Sequence, residues 1–174
     1  MEKKRNITLV GMPGAGKSTL GVVLAKRLGY RFVDTDLLIQ ECTGQLLSET
    51  IDERGTDGFI ALENQILAGF ECEGHVIATG GSACYGTDAM RHLKEISTVV
   101  FIDITFKEMM RRLGDLTARG VVMREGLTIQ DVYDERKPLY QKYADITVKT
   151  SGLSTRKAVE LLDIALRELE GEAE

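Results

Sequence analysis

The stretch from Gly11 to Ser18 has the residue types and spacing of a loop that binds phosphate. It reads Gly11-Met12-Pro13-Gly14-Ala15-Gly16-Lys17-Ser18, which fits the P-loop pattern at every specified position. Glycines let the backbone turn so that successive N–H groups face phosphate oxygens, and the helix that follows adds the positive end of its dipole. Lys17 supplies a cation for the β- and γ-phosphates, and the Ser18 hydroxyl suits Mg²⁺. The sequence therefore predicts a loop that binds ATP together with Mg²⁺.

The elements that must position this loop alternate between strand-like and helix-like patterns. This alternation favours a parallel sheet covered by helices on both faces. The predicted strands are Ile7–Val10, Arg31–Val33, Val76–Ala78, Thr98–Asp103 and Ile146–Lys149. We expect a three-layer α/β P-loop NTPase fold, with a central parallel sheet of these five strands, formed by one domain over residues 1–174.

The first and last helices of the chain are predicted to be amphipathic. The first is predicted from about Lys17 to Leu28 and ends at Gly29. The last is predicted from about Ser154 to Leu169, with Ser154 or Thr155 as the N-cap. The expected inner-face residues are Leu20, Val23, Leu24 and Leu28 in the first helix, and Ala158, Leu161, Leu162, Ala165 and Leu169 in the last.

Two further segments fall outside this alternation. Residues 37–70 have the pattern of two or three helices and no strand, so we expect a helical substrate-binding insertion over the sheet. Residues 114–126 lack sustained periodicity and carry a glycine at each end. A loop of that length in a compact domain is usually functional, and we predict a lid here.

The composition disfavours several classes of partner. Formal net charge is −5, which argues against sequence-independent binding to nucleic acid. No apolar run approaches the roughly 20 residues of a membrane span, and the N-terminal region lacks a signal-peptide core. The three cysteines have no CxxC spacing, so neither a disulfide framework nor a zinc site is expected. We expect a cytoplasmic monomer that acts on a small molecule, with no membrane partner.

The remaining motifs narrow the kind of P-loop protein. A GTPase would carry an Asn-Lys-x-Asp motif, and none is present. Val99–Asp103 imitates the apolar run before the Asp-Glu pair of motor and AAA-type ATPases, but Ile104 follows in place of Glu. We interpret Asp103 as the polar end of a buried strand. Small size and a candidate lid favour a kinase that closes over its substrate.

Over nearly its whole length the sequence resembles the shikimate kinases. The resemblance rests on the order and spacing of several motifs. They are Gly14-Ala15-Gly16-Lys17-Ser18-Thr19, Asp34-Thr35-Asp36, Gly58-Phe59 with Glu63, Ala78-Thr79-Gly80-Gly81, and Glu135-Arg136-Lys137-Pro138-Leu139-Tyr140 followed by Ala144-Asp145.

The resemblance implies roles for the first two motifs, and chemistry supports them. Residues Gly14 to Thr19 would hold the nucleotide. Asp34 would hold Mg²⁺ through water, because a hard cation beside phosphates prefers carboxylate oxygen. Asp36 would orient or deprotonate the substrate hydroxyl for attack on the γ-phosphate. Carboxylates at i and i+2 of an extended segment project to one face, and an N-cap before the next helix would account for one of them but not both.

The resemblance also implies contacts to the acceptor and to the transferred group. Gly80 and Gly81 would let the backbone approach the substrate, and Arg136 would bind a substrate carboxylate through its bidentate guanidinium. Arg119 stands at the position of the family's lid arginine, which neutralises the transferring phosphoryl group. Arg112 matches a family arginine that stacks on adenine.

Departures from the family pattern fall on the acceptor and the lid. Ile60 stands where the family has an arginine that also grips the carboxylate of shikimate, and Ser82 replaces the third glycine of a triple-glycine turn. The lid signature Arg-Pro-Leu-Leu is rewritten as Arg119-Gly120-Val121-Val122. Loss of one partner of a buried charge pair typically costs about 2–5 kcal/mol. Arg54 could reach the carboxylate from the neighbouring turn, or the acceptor could be a different hydroxy acid.

Three functional hypotheses follow. The first is an ATP- and Mg²⁺-dependent kinase that converts shikimate to shikimate 3-phosphate. The second keeps the chemistry and changes the acceptor to another small hydroxy acid such as homoserine. The third is a nucleotide-binding sensor without transfer chemistry, which Lys17, Ser18, Asp34, Asp36 and Arg119 argue against because such a module would lack a catalytic group.

Overall fold

The computed structural model describes residues 6–114 and 121–171. Its central sheet has five strands in the order β2-β3-β1-β4-β5, and every neighbouring pair is parallel. The strands are β1 (Asn6–Val10), β2 (Arg31–Asp34), β3 (His75–Ala78), β4 (Ser97–Asp103) and β5 (Ile146–Lys149). Each predicted strand is present within one residue at either end, and the α/β fold class is confirmed.

Seven helices are described around this sheet. They are α1 (Lys17–Leu28), α2 (Thr35–Thr43), α3 (Leu47–Ala68), α4 (Thr87–Ile96), α5 (Phe106–Leu113), α6 (Ile129–Tyr143) and α7 (Thr155–Glu170). The 3-10 turn Ala83–Tyr85 precedes α4. In the described part of the chain, no helix is long and apolar enough to cross a membrane.

The central strands are buried along their whole length because helices cover both faces of the sheet. Every residue of β1 and β4 is buried. Asp103 ends β4 in the expected way: it is 8% exposed, and Lys137 Nζ lies 3.0 Å from its carboxylate. The rigid sheet places the carboxyl ends of β1, β2 and β3 at one edge, where ligands of open α/β sheets bind.

The end helices keep their predicted bounds within one residue, but two of their inner-face assignments are wrong. Val23 is 40% exposed because the buried face of α1 passes through Gly21, which packs so closely on Phe32 that a Cβ would lie 2.7 Å from its ring. Leu169 is 53% exposed because the buried face of α7 ends at Leu166. Gly29 and Ser154 cap these helices as predicted.

Residues 37–70 form helices without a strand, as expected. Helix α3 is kinked at Gly55, where φ is +71° and ψ is 173°. That left-handed φ favours glycine, and the break turns the first part of α3 relative to the second. Of the predicted lid, residues 115–120 lie outside the described residues.

Candidate active site

The P-loop lies between β1 and α1 and is shaped by its glycines. Gly14 and Gly16 have φ of +77° and +86°, a region that other residues rarely adopt. Gly16 is the N-cap of α1, and no side chain caps the helix there. The first N–H groups of α1 are therefore free of a side-chain cap and can bind an anion.

Lys17 is held over this loop by two backbone carbonyls. Its Nζ donates to Gly11 O at 2.7 Å and to Met12 O at 2.9 Å, and the residue is 7% exposed. Burial lowers the pKa of Lys17 to about 8, while the charge of Asp36 opposes that shift. Because this pKa is close to neutral pH, a bound phosphate would stabilise the charged form of the buried ammonium.

Ser18, Asp34 and Asp36 lie together where β2 meets α2. The Ser18 hydroxyl donates to Asp34 Oδ2 at 2.6 Å, and Asp34 Oδ1 accepts from the Asp36 amide at 2.9 Å. Asp34 is thus the N-cap of α2 and also faces the P-loop. Asp36 is in the first turn of α2, where burial and then the negative charge of Asp34 raise its pKa. A carboxyl with a raised pKa is suited to accept a proton from a bound hydroxyl.

These groups share a cavity of about 670 Å³. That volume is in the range of small-molecule sites. The cavity is lined by the P-loop, the start of α2, the turn Thr79–Ser82, helices α3 and α6, and residues 121–123. The predicted site residues that line it are Gly14, Gly16, Lys17, Ser18, Thr19, Asp34, Asp36, Gly80, Gly81, Ser82 and Arg136.

Gly80 and Gly81 are required by the close approach of their neighbours. A Cβ on Gly80 would lie 2.8 Å from Asp36 Oδ1 and 2.9 Å from Glu63 Oε1. A Cβ on Gly81 would lie 2.9 Å from the ring of Pro13. These two positions therefore admit only glycine without a shift of the site.

Arg136 on α6 brings a positive charge to the lining of the cavity. It is 1% exposed, its Nε donates to the Tyr85 hydroxyl at 3.3 Å, and its Nη2 donates to Val122 O. Its guanidinium lies over the Tyr85 ring, 5.2 Å from the centroid. Nη1 has no hydrogen-bond partner, although it is buried. Such a group suits a carboxylate oxygen.

Glu63 on α3 lies behind the Gly80–Ser82 turn. The Ser82 hydroxyl donates to Glu63 Oε2 at 2.6 Å, and Oε1 has no hydrogen-bond partner. Burial raises the pKa of Glu63 to about 7, and the bond from Ser82 opposes the shift. Glu63 is not among the residues that line the cavity, but it contacts Ser82, which does.

Arg112 on α5 lies on the other side of the P-loop. Its Nη1 donates to Ala15 O at 3.1 Å and Gly14 O at 3.3 Å, and its Nε contacts Glu108 at 2.7 Å. A smaller cavity of about 210 Å³ is lined here by Arg112, Ala15, Thr19, Thr150, Leu153 and their neighbours. The position of Arg112 beside this cavity is compatible with its expected place near the nucleotide base.

Two residues predicted at the acceptor are not brought to the larger cavity. Arg54 is exposed and Ile60 is half-buried, and neither lines it. Arg54 immediately precedes the kink at Gly55, so the expectation that it reaches the acceptor is not supported. Arg119 lies outside the described residues.

The sequence predicted a substrate-binding insertion and a lid in these regions, but it did not identify most of the individual residues of α3, or Met123, that line the cavity. The Thr56 hydroxyl donates to Met123 O at 3.1 Å, which fixes the end of the predicted lid against α3. Arg124 Nε binds Asp57 at 2.9 Å. Phe59 could have been found from its place in the Gly-Phe motif, whereas the others carry no sequence signal. The missed lining residues are Leu47, Ser48, Ile51, Asp52, Thr56, Phe59 and Met123.

Comparison with known proteins agrees with this arrangement. The family model described as shikimate kinase matches residues 13–166. Shikimate kinase of Vibrio parahaemolyticus is 36% identical over 159 residues, which cover 90% of this chain and 92% of that protein. Shikimate kinase of Haemophilus influenzae is 33% identical over 171 residues, 94% of this chain and 95% of that protein.

Solved structures give the same result. Shikimate kinase from Acinetobacter baumannii in complex with shikimate has a TM-score of 0.84 at 30% identity, and the match covers 96% of each chain. Shikimate kinase from Aquifex aeolicus has a TM-score of 0.81 at 30% identity and covers 97% of this chain and 99% of that one. With its P-loop, paired aspartates and buried arginine around one cavity, this chain belongs to the shikimate kinase family.

Proposed function

We propose that this protein transfers the γ-phosphoryl group of ATP to a hydroxyl of shikimate and releases ADP and shikimate 3-phosphate. One observation carries the proposal: Lys17, Asp36 and Arg136 line the same cavity, so a phosphate loop, a carboxylate and a buried guanidinium face one small-molecule site. A small acid bound between them would present a hydroxyl to Asp36. Family membership and the shikimate-bound relative support the choice of acceptor.

Each residue has a distinct task in this reaction. Arg136 binds the acceptor carboxylate and thereby orients the ring. Asp36 accepts the hydroxyl proton as the acceptor oxygen bonds to the γ-phosphorus and the bond to the leaving oxygen of ADP breaks. Lys17 and the first amides of α1 stabilise the negative charge of the phosphates. Closure of the cavity by residues 121–123 would keep water from competing as the acceptor.

The residues present fit a magnesium ion. Ser18 and Asp34 place two oxygen atoms together at the cavity, where they line it beside the P-loop. Among the described residues no cluster of three or more His, Cys, Asp or Glu could hold a metal by itself. That fits Mg²⁺, which prefers one or two protein oxygens together with phosphates and water. When bound, Mg²⁺ supplies charge neutralisation at the phosphate oxygens.

A coupled assay of ADP release, with shikimate and homoserine side by side, tests the proposal. We expect turnover with shikimate that depends on Mg²⁺, and a product identified as shikimate 3-phosphate by mass spectrometry and ³¹P NMR. Good turnover of homoserine with none of shikimate at millimolar concentration would replace the acceptor. Tight ATP binding with no turnover of any acceptor would support a sensor.

The residues expected to bind the acceptor carboxylate favour a second acceptor class, another small hydroxy acid such as homoserine. Arg136 is the only arginine among the described residues that line the larger cavity, and Ile60 holds the position of the family's second arginine. If the acceptor has changed, Ile60→Arg should raise turnover of shikimate. No gain in that variant would count against this alternative.

We further propose that the protein acts as a monomer in the cytoplasm. The described residues of one chain supply Lys17, Asp36 and Arg136 to the same cavity, which supports a monomer. Size-exclusion chromatography with light scattering at assay concentrations should give a mass near 19.2 kDa. A stable dimer would contradict the monomer.

A further inference from the structure

Glu63 and Arg136 are buried side chains of opposite charge beside the Gly80–Ser82 turn, and they are not bonded to each other through Glu63 Oε1 and Arg136 Nη1. Glu63 is 2% exposed and Arg136 is 1% exposed. Within the described residues, Glu63 Oε1 and Arg136 Nη1 have no hydrogen-bond partner. A Cβ on Gly80 would lie 2.9 Å from Glu63 Oε1, and a Cβ on the next residue, Gly81, would lie 3.1 Å from Arg136 Nη1, so both atoms lie against the same turn. Such charges pair unless another contact prevents it.

Ser82 makes that contact. Its hydroxyl donates to Glu63 Oε2 at 2.6 Å, and Ser82 itself is 3% exposed. The turn that carries it is fixed on the other side, because the Tyr140 hydroxyl donates to Gly81 O at 2.6 Å. The serine hydroxyl therefore holds the Glu63 carboxylate from a rigid position.

We propose that Ser82 is a positioning residue that holds Glu63 away from Arg136 and so keeps Arg136 available for the carboxylate of the acceptor. The proposal rests on the proposed function, because it requires an acceptor with a carboxylate. A guanidinium paired with a protein carboxylate would have to lose that partner before it could bind another. A glycine at position 82 has no hydroxyl that could hold Glu63, so the proposal gives a role to the serine that replaces it.

The kinetic test compares Ser82→Ala with the double variant Ser82→Ala/Glu63→Gln. In Ser82→Ala, Glu63 is free to pair with Arg136, so we expect the KM for the acceptor to rise about tenfold or more. The KM for ATP should stay within about twofold, because the P-loop is unchanged. Removal of the competing charge by Glu63→Gln in the same variant should bring the acceptor KM back toward that of the wild type.

A matched control separates this role from a general loss of packing. Ser97 is also fully buried and bonded through its hydroxyl, at 2.7 Å from Thr8 Oγ1, but it lies on β4 away from the cavity. Ser97→Ala should lower thermal stability without raising the acceptor KM. An unchanged acceptor KM in Ser82→Ala would overturn the proposal, as would a double variant no better than Ser82→Ala.

The crystal structure of Ser82→Ala decides the matter independently of which acceptor is used. We expect the Glu63 carboxylate within hydrogen-bond distance of Arg136. If Glu63 keeps its present position, the proposal is wrong. Failure of the proposed function has a different signature, since the wild type would then turn over no carboxylate acceptor whatever the position of Glu63 in the variant.

Discussion

Two parts of the larger cavity are built in different ways: the P-loop residues, which we call the phosphate end, and the Gly80–Ser82 turn with Arg136, which we call the acceptor end. At the phosphate end, one continuous strand, loop and helix supplies Lys17 and Ser18, and both side chains are bonded to protein oxygens. At the acceptor end, α3, the Gly80–Ser82 turn and α6 meet from distant parts of the chain, and Glu63 and Arg136 each keep one buried atom without a partner. The phosphate end depends on local geometry, whereas the acceptor end depends on tertiary packing. Substitutions at the acceptor end can therefore change specificity and leave the phosphate loop intact.

The largest effect expected is on the chemical step. Asp36→Asn removes the proton acceptor and should lower kcat by about 10²–10⁴-fold. Because Asn keeps the size of the side chain, ATP affinity measured by calorimetry should change little. Asp134→Asn, on the exposed face of α6, is the matched control. Full activity in Asp36→Asn would contradict the assignment of Asp36 as the general base.

Next in size is the loss of the acceptor contact. Arg136→Lys keeps the charge but removes the planar fork, so we expect the acceptor KM to rise by at least about 30-fold. The KM for ATP should remain close to that of the wild type, which would separate the two ends of the cavity. The exposed Arg91 offers a control, Arg91→Lys. Equal loss of acceptor and ATP affinity would show that the phosphate end and the acceptor end do not act independently.

A smaller effect is expected from crowding between the two ends. A methyl group on Gly80 would lie under 3 Å from both Asp36 Oδ1 and Glu63 Oε1, so Gly80→Ala should displace these carboxylates and lower kcat/KM for the acceptor about tenfold or more. Gly69→Ala is the control, because the nearest atom to its Cβ would be 3.8 Å away. Steady-state kinetics with both variants would show whether Gly80 is required.

The smallest effect expected is on pH dependence at the phosphate end. Burial lowers the pKa of Lys17 to about 8, so its positive charge is present below that pH and is lost as the pH rises through it. The kcat/KM for ATP, which reports the free enzyme, should therefore fall above about pH 8. The kcat should be less sensitive, because bound phosphate favours the charged lysine. A flat profile of kcat/KM to pH 10 would show that Lys17 keeps its ordinary pKa.

The same contrast explains how much the sequence could predict. The five strands, the cap at Gly29 and the P-loop follow from apolar periodicity and glycine spacing, which are local properties. Asp34 caps α2, the role that the sequence allowed for one of the two aspartates, and it also accepts a hydrogen bond from Ser18. Its role in holding Mg²⁺ stays a prediction. These features need no knowledge of distant contacts.

The acceptor end could not be predicted in the same way. The bond from Ser82 to Glu63 depends on how α3 packs behind the turn, and sequence spacing does not encode that distance. Val23 was assigned to the core from apolar spacing, yet the close packing of Gly21 against Phe32 turned it outward. Arg54 could reach the acceptor from the turn next to Ile60 on sequence separation alone, but α3 breaks at Gly55 and Arg54 is exposed.

The most direct test of the account is a crystal structure with a non-hydrolysable ATP analogue, Mg²⁺ and shikimate. We predict that the Asp36 carboxylate will lie within hydrogen-bond distance of the shikimate hydroxyl that faces the γ-phosphate, and that Arg136 will bind the carboxylate at the other end. An Asp36 side chain turned away from both ligands, with shikimate bound elsewhere or not at all, would contradict the account.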